Sequence, residues 1–286
     1  MSDTPLPTTA VVTVSYNSGA HLRQFLSSIR SNESTSVTIV VADNGSTDIA
    51  ETRVVCAEFS ATLLELGFNS GYGGGMNRAI ATLSPEITTV LISNPDVNFP
   101  GGAIGTLVEA LDSLPHSAAV GPRVLNADGS IYPSARELPS LRTGVGHAVL
   151  GRIRPDNPWT KRYLSDFSES TEPRQSGWLS GSCLMVRRSA FESIGGFDDA
   201  FFMYFEDVDL GYRFGKSGWQ NTYYPASVVT HTGAHSTATE SSRMIEAHHQ
   251  SAYRYLSRRY SAWYLTPLRI ALRAGLEIRS RWLTRR

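Results

Sequence analysis

Residues 9–48 have the sequence "TAVVTVSYNSGAHLRQFLSSIRSNESTSVTIVVADNGSTD". Apolar, β-branched runs at 9–16 and 37–43 enclose a stretch at 18–30 whose apolar residues recur at helical spacing. This pattern predicts a strand, a helix and a second strand. A repeated strand–helix–strand order is typical of a parallel sheet that helices cover on both faces.

The same alternation continues along the first part of the chain. Further strands are predicted at 61–66, 87–93 and 117–124, with helices near 48–59, 72–83 and 102–114. The sequence therefore predicts an α/β fold with a mostly parallel, Rossmann-like central sheet. Because ligands of such sheets bind at the carboxyl ends of the strands, the functional segments are expected to be 16–19, 43–48, 67–77 and 94–97.

Composition restricts the class of protein. The chain has 286 residues, 41% hydrophobic and 18% charged, with a formal net charge of zero, so no global field favours a nucleic-acid partner. No apolar run reaches a membrane-spanning length, and the N-terminus lacks the features of a signal peptide. Cys56 and Cys183 are far apart in apolar contexts, which indicates reduced thiols and a cytoplasmic protein.

Three motifs follow predicted strands. Asp43 ends a strand, where a carboxylate can accept a hydrogen bond from the N3–H of uracil or thymine; an ordinary turn before a helix uses the same residue types. Glycines at 71 and 73–75 precede a helix and suit a pyrophosphate, but Met76 replaces the third glycine of a dinucleotide fingerprint, which weakens an oxidoreductase hypothesis.

A third motif, Asn94-Pro95-Asp96, places an oxygen ligand and a carboxylate on one face of an extended segment. Together with His231 it forms the beginning of a divalent-cation site; simple turn residues and a core histidine are the alternative. Further along, "GGFDDAFFMYFEDVDLGYR" (195–213) sets five acids among aromatic residues. This segment is either a helix start with a solvated face or a set of acids working in a cleft.

Six ordered motifs together resemble the family 2 glycosyltransferases with a GT-A fold, in particular their rhamnosyltransferase subgroup. The motifs are "VTVSYNSG", "VVADNGSTD", "GFNSGYGGGMNRAI", "SNPDV", "GSCLMVRR" and "FDDAFFMYFEDVDLGYR", within about residues 9–235. The resemblance implies a GT-A domain at 1–238, with a nucleotide-binding half (9–124) and an acceptor half (125–238). A basic helical region at 239–286 follows it.

The resemblance also implies an activity. It implies inverting transfer of L-rhamnose from dTDP-L-rhamnose to a lipid-linked sugar, with Mg²⁺ or Mn²⁺ as the cation. The acceptor that the resemblance implies is polyprenyl-diphosphate-linked N-acetylglucosamine in cell-wall synthesis. A galactofuranosyl or hexosyl transferase using a UDP-sugar, and a non-catalytic sugar-nucleotide-binding protein, are the alternatives.

Site residues are carried over position by position. Asp207 resembles the general base, Asp43 the base-recognising acid, and Asp96 and His231 the metal ligands. Asn94 departs from the Asp-x-Asp metal motif and removes one negative charge. Glu206 and Asp209 are interpreted as capping or positioning groups. The other donor-binding candidates are Tyr16, Asn17, Asn69, Gly71, Gly73, Gly74, Asn77 and Asn94. The acceptor-side candidates are Trp178, Gly181 and Glu206.

The C-terminal region carries ten arginines and three glutamates from residue 240 onward. Leu268, Leu272, Leu276 and Leu283 are predicted to form an apolar helix stripe with arginines opposite it. Such a helix can lie on the cytoplasmic face of an anionic membrane. A helix that docks on the domain or in a homodimer is the alternative.

Overall fold

The chain alternates strands and helices around one large sheet. The computed structural model describes residues 8–32, 36–140, 170–233 and 241–284. The strands are β1 (Thr9–Ser15), β2 (Val37–Asp43), β3 (Thr62–Glu65), β4 (Thr89–Ser93), β5 (Val97–Asn98), β6 (Ser117–Asn126), β7 (Ile131–Tyr132), β8 (Ala135–Arg136), β9 (Arg174–Ser176), β10 (Trp178–Leu179), β11 (Cys183–Arg187) and β12 (Gln220–His231). The helices are α1 (Gly19–Asn32), α2 (Ile49–Glu58), α3 (Gly71–Ala81), α4 (Ala103–Ser113), α5 (Arg188–Ser193), α6 (Glu206–Lys216), α7 (Ser241–Arg259) and α8 (Thr266–Thr284).

The first four strands form the predicted parallel unit. Their order is β3-β2-β1-β4, and Val12 of β1 lies between Val40 and Ile92. Beyond β4 the sheet becomes mixed, because β11 pairs antiparallel with both β4 and β6. β12 then pairs parallel with β6, and β5 pairs antiparallel with β12 at the far edge.

Helices cover both faces of this sheet, as the sequence predicts. All of β1 is buried, and its successive residues enter two different cores. Val12 packs with Met76 of α3 on one face, whereas Val11 packs with Phe25 of α1 on the other. The carboxyl ends of the parallel strands therefore open at one edge between the two helical layers.

Residues 125–176 are rich in Pro, Gly, Ser and Arg and show no sustained period, which predicts long loops, but the segment is partly strand. β6 runs to Asn126, β7 and β9 extend the large sheet, and β8 forms a separate ribbon with β10. Strands β7 to β10 have two or three residues each, too few for a period-2 pattern to show in the sequence. Residues 141–169 lie outside the described part. The predicted halves share one continuous sheet, because β6 crosses their boundary.

α8 presents a different face from the predicted one. Leu272 and Leu276 are half-buried, while Ile270 and Ile278 are 65% and 69% exposed. Of the predicted leucine stripe, Leu268 is 37% exposed and only Leu272 and Leu276 turn partly inward, since apolar residues lie on two faces and packing selects between them. The side chains of Trp282 and Leu283 lie outside the described part. None of the described helices combines the length and the hydropathy that a membrane crossing requires.

Candidate active site

Strand pairing brings the predicted metal ligands together. His231 ends β12 and is paired with Val97 of β5, directly after Asp96. The His231 Nε2 lies 3.1 Å from Asp96 Oδ1 and 3.4 Å from Asn94 Nδ2. Thr232 donates its N–H and its hydroxyl to the Asp96 backbone carbonyl, at 3.1 and 3.0 Å. Asn94, Asp96 and His231, which come from two segments distant in sequence, thus form one polar cluster, called the polar point below.

Glu206 and Asp207 form a carboxyl pair at the start of α6. Asp207 is half-buried, and its carboxylate accepts N–H bonds from Gly181 at 2.9 Å and from Val208 at 2.8 Å. Glu206 is 8% exposed, and its Oε2 has no hydrogen-bond partner among the described residues. Burial and the neighbouring Asp207 raise the pKa of Glu206 to about 8. Burial also raises the pKa of Asp207, against the effect of its N–H bonds.

The two carboxyl groups of the pair have different surroundings and therefore different protonation states. Asp207 accepts N–H bonds from Gly181 and Val208, whereas among the described residues only its own backbone N–H favours the ionised form of Glu206. Near neutral pH the negative charge of the pair is therefore expected on Asp207 and the proton on Glu206. Asp207 is also the more exposed of the two, which lets a substrate hydroxyl reach it. Phe205, the N-cap residue of α6, makes no side-chain capping bond, and the predicted capping or positioning roles of Glu206 and Asp209 remain predictions. Asp209 is fully buried between Arg213 and Arg258, at 2.6 Å from each.

A two-bond chain connects the glycine segment to Asp207. The Tyr72 hydroxyl donates to the Gly181 carbonyl at 2.5 Å, and the Gly181 N–H donates to Asp207. Removal from water, followed by the charges of Glu206 and Asp207, raises the pKa of Tyr72, so the phenol remains a donor. Gly181, predicted on the acceptor side, therefore orients the carboxylate through its backbone.

The loops after β1 and β2 are connected to each other. Asp43 is 2% exposed, and it accepts the N–H groups of Gly45 and Ser46 at 3.0 and 2.9 Å and the Ser46 hydroxyl at 2.5 Å. Asn17 accepts the N–H and the hydroxyl of Thr47, and Tyr16 is 43% exposed beside it. Asp43 therefore builds the turn, and its contact with a pyrimidine remains a prediction, as do those of Tyr16 and Asn17.

The glycines of α3 allow another segment of the chain to pack closely against this helix. A Cβ on Gly71, whose φ is +76°, would lie 2.2 Å from the Phe202 carbonyl oxygen. One on Gly73 would lie 2.8 Å from Phe197 Cβ. Asn69 accepts the Gly71 N–H at 2.9 Å and shapes the entry to the helix. At Gly71 and Gly73 the space beside the backbone, which was predicted to suit a pyrophosphate, is filled by residues 197–202. Donor contact at Asn69, Gly71, Gly73 and Gly74 remains a prediction.

Two candidates have their polar atoms occupied within the protein. Asn77 donates to Phe197 O and Asp199 Oδ1 and accepts the Phe197 N–H, at 2.8 to 2.9 Å. It therefore fixes the segment before α6, and its predicted donor contact remains a prediction. Trp178 donates its Nε1–H to Glu137 O, and its Cβ lies 2.7 Å from the Cβ position of Gly211 in α6. Its role toward a sugar remains a prediction.

Comparison with known proteins decides the family. The pattern of "Glycosyl transferase family 2" matches residues 10–195. The chain belongs to this family. The glycosyltransferase is 45% identical, over 96% of its chain and 92% of the relative's, to the N-acetylglucosaminyl-diphospho-decaprenol L-rhamnosyltransferase of Mycobacterium tuberculosis.

Solved structures confirm the GT-A fold of the glycosyltransferase. The mannosyltransferase PcManGT from Pyrobaculum calidifontis, solved with GDP-Man and Mn²⁺, superposes with a TM-score of 0.60 at 17% identity over 98% of this chain and 73% of that one. GalNAc-T7 with UDP, GalNAc and Mn²⁺ superposes with a TM-score of 0.61 at 16% identity, over 96% of this chain and 55% of that one.

The polar point of the glycosyltransferase fits a divalent cation. An octahedral cation with ligands at about 2.1 Å has neighbouring ligands about 3 Å apart, which agrees with the 3.1 Å between His231 Nε2 and Asp96 Oδ1. The buried Asp96 Oδ1 accepts no hydrogen bond among the described residues. The described residues contain no cluster of three His, Cys, Asp or Glu side chains that could hold a metal ion. Asp96 and His231 could therefore hold a cation only together with other ligands.

Tyr132 is a site residue that the sequence analysis missed. Its ring lies edge-on to His231 with centroids 5.7 Å apart. Burial, followed by the charge of Asp207 and then that of Asp96, raises the pKa of Tyr132, so its phenol keeps its proton near neutral pH. The only signal was its place in the segment predicted as loops. Asn44 was missed too; it donates to Gly71 O and accepts from the Ser70 hydroxyl, both at 2.9 Å.

The buried Glu206 gives the glycosyltransferase a specific pH dependence. An acid whose pKa rises from 4.5 to about 8 on folding stabilises the fold fully below its unfolded pKa, and that contribution is lost as pH rises through about 8. We therefore expect the melting temperature of the wild type to fall more steeply between pH 5 and 8 than that of Glu206→Gln. Calorimetry at four pH values checks this. Parallel lines for the two proteins would mean that Glu206 ionises normally.

Proposed function

We propose that this glycosyltransferase transfers L-rhamnose from dTDP-L-rhamnose, with inversion, to N-acetylglucosamine linked to a polyprenyl diphosphate. The observation that carries the proposal is the 45% identity to the mycobacterial rhamnosyltransferase over nearly the whole of both chains. The local geometry supports it, because an ionised carboxylate, a candidate cation site and a strand-end loop cluster share one edge of the sheet.

The proposed reaction is a single displacement in which Asp207 acts as the general base. The acceptor hydroxyl oxygen forms a bond to the anomeric carbon and gives its proton to Asp207. The bond between that carbon and the diphosphate oxygen breaks, and dTDP leaves with the electron pair. Gly181 holds Asp207 in place for this transfer, and the neutral Glu206 avoids a second charge beside the base.

Asp96 and His231, with Asn94 beside them, would hold Mg²⁺ or Mn²⁺ together with oxygens of the donor diphosphate. When bound, the cation supplies charge neutralisation for the leaving diphosphate. Because Asn94 replaces a carboxylate, the protein itself contributes less negative charge, and we expect metal binding to depend strongly on the presence of the donor.

A donor-by-acceptor screen tests the proposed function. dTDP-L-rhamnose, UDP-galactofuranose and UDP-hexoses are each offered with a polyprenyl-diphospho-N-acetylglucosamine analogue, with Mg²⁺ or Mn²⁺ present. Transfer of rhamnose alone supports the proposal. Preferential transfer from a UDP-sugar would assign the alternative activity, and nucleotide-sugar binding without any product would indicate a binding protein.

The exposed face of α8 is proposed to contact the anionic membrane that carries the acceptor. Trp263 and Tyr264 are 84% and 66% exposed at the start of this face, and Ile270 and Ile278 continue it. A lipid surface is the occupant we favour, because this apolar face belongs to the region that carries ten arginines. The helix would thus hold the enzyme beside its lipid-linked acceptor.

Ile270→Ser/Ile278→Ser is expected to weaken binding to anionic vesicles by at least about 10-fold, since fully burying one such side chain contributes about 1.5–3 kcal/mol. Transfer to the lipid-linked acceptor in vesicles should fall with it, while transfer to a short soluble analogue stays unchanged. Deleting residues 266–286 and raising the salt concentration should have the same selective effect. Equal loss on both acceptors with a lower melting temperature would show that the helix is only structural.

A further inference from the structure

The turn before the carboxyl pair has a strained backbone. Tyr204 and Phe205 have φ values of +66° and +65°, a region that bulky residues rarely occupy. Such a conformation is unfavourable for a residue with a side chain and persists only where the surroundings hold it. Glu206 and Asp207 follow directly, so the position of the proposed base depends on a conformation that this turn does not favour by itself.

Helix α7 contacts this turn along its length. The Ser251 hydroxyl donates to Met203 O at 2.9 Å. The His248 ring lies edge-on to Tyr204 and Phe205, with centroids 5.6 and 5.3 Å apart. Two helical turns after His248, the fully buried Tyr255 packs its ring 5.8 Å from that of Phe205. One helix thus contacts the side chains of both strained residues and the backbone of Met203 just before them.

The same helix is anchored to α6 by charge. Arg258 donates to Asp209 Oδ1 at 2.6 Å and also pairs with Asp198. Asp209 is fully buried, so its carboxylate requires these partners. Arg258 thereby joins the segments on both sides of the strained turn, one before it at Asp198 and one after it at Asp209.

We propose that α7 is a positioning element for the transfer reaction and that it acts by holding Tyr204 and Phe205 in their strained conformation. His248 and Ser251 are the positioning residues; they act through the turn on Asp207. This inference rests on the proposed function only in that Asp207 is the base. It gives the C-terminal region a role in catalysis that is separate from membrane contact by α8.

His248→Ala/Ser251→Ala is expected to lower kcat by about 10-fold or more, because small misplacement of a reacting group is costly, with the donor KM nearly unchanged. Hydrogen exchange should become faster in residues 203–209 and remain unchanged in β1 and β2. Gln250→Ala, at an exposed position of the same helix, is the control and should behave as wild type.

A matched pair at position 204 tests the mechanism. Tyr204→Gly and Tyr204→Ala both remove the ring, but only glycine adopts positive φ without cost. In the His248→Ala/Ser251→Ala background, glycine should restore several-fold more kcat than alanine, and the difference should be smaller in the wild-type background. Equal kcat for the two in both backgrounds, or a loss confined to KM and melting temperature, would overturn the proposal.

The assay uses whichever donor and acceptor the wild type turns over. A wild type that ignores dTDP-L-rhamnose contradicts the proposed donor, whereas double variants with wild-type kcat contradict the role of α7. Unchanged hydrogen exchange at 203–209 in the double variant would also count against α7, whatever the donor.

Discussion

Asp207→Asn is expected to lower kcat by about 10²–10⁴-fold, the usual effect of losing a general base. The amide keeps the size of the side chain and can still accept the Gly181 N–H, but it cannot take the acceptor proton. Donor affinity should change little, since the proposed role of Asp207 is toward the acceptor. Single-turnover kinetics and calorimetric titration with the donor separate the two quantities.

Glu206→Gln is the matched control for this experiment. Because Glu206 holds its proton near neutral pH, the amide replaces a neutral group, and we expect a far smaller loss of kcat than in Asp207→Asn. The opposite order, with Glu206→Gln inactive and Asp207→Asn nearly normal, would assign the base to Glu206.

Asp96→Ala is expected to raise the Mn²⁺ concentration needed for half-maximal activity by about 100-fold, since even the loss of an outer partner of a ligand costs 10–100-fold in metal affinity. His231→Ala should act in the same direction, and high Mn²⁺ should rescue both partly. Metal titrations of transfer, and of donor binding alone, measure this effect.

Asp112→Ala is the control for the metal experiment, because Asp112 is an exposed aspartate near the end of α4. It should leave the Mn²⁺ dependence unchanged. If Asp96→Ala and His231→Ala both keep the wild-type metal dependence, the cation binds elsewhere or is not used.

Strand ends allow proximity to be predicted from the sequence. Asn94, Asp96 and His231 were chosen by their places at strand ends, and they do converge. Asn77 is a different case, because the same polar residue in a glycine-rich helix can bind a ligand or hold a neighbouring segment. Nothing in the local pattern shows that Phe197 and Asp199 occupy its amide.

The main strands and helices and the family of this protein follow from the sequence, because hydrophobic period and turn chemistry depend on neighbours along the chain, whereas the two- and three-residue strands do not. The tertiary structure alone decided the properties that depend on distant contacts. The pairing of β5 with β12 brings His231 to Asp96, and burial beside Asp207 keeps the proton on Glu206. Packing on α7 selects which face of α8 is exposed and holds Tyr204 and Phe205 at positive φ. Each of these results from residues far apart in the chain, whose contacts no local pattern encodes.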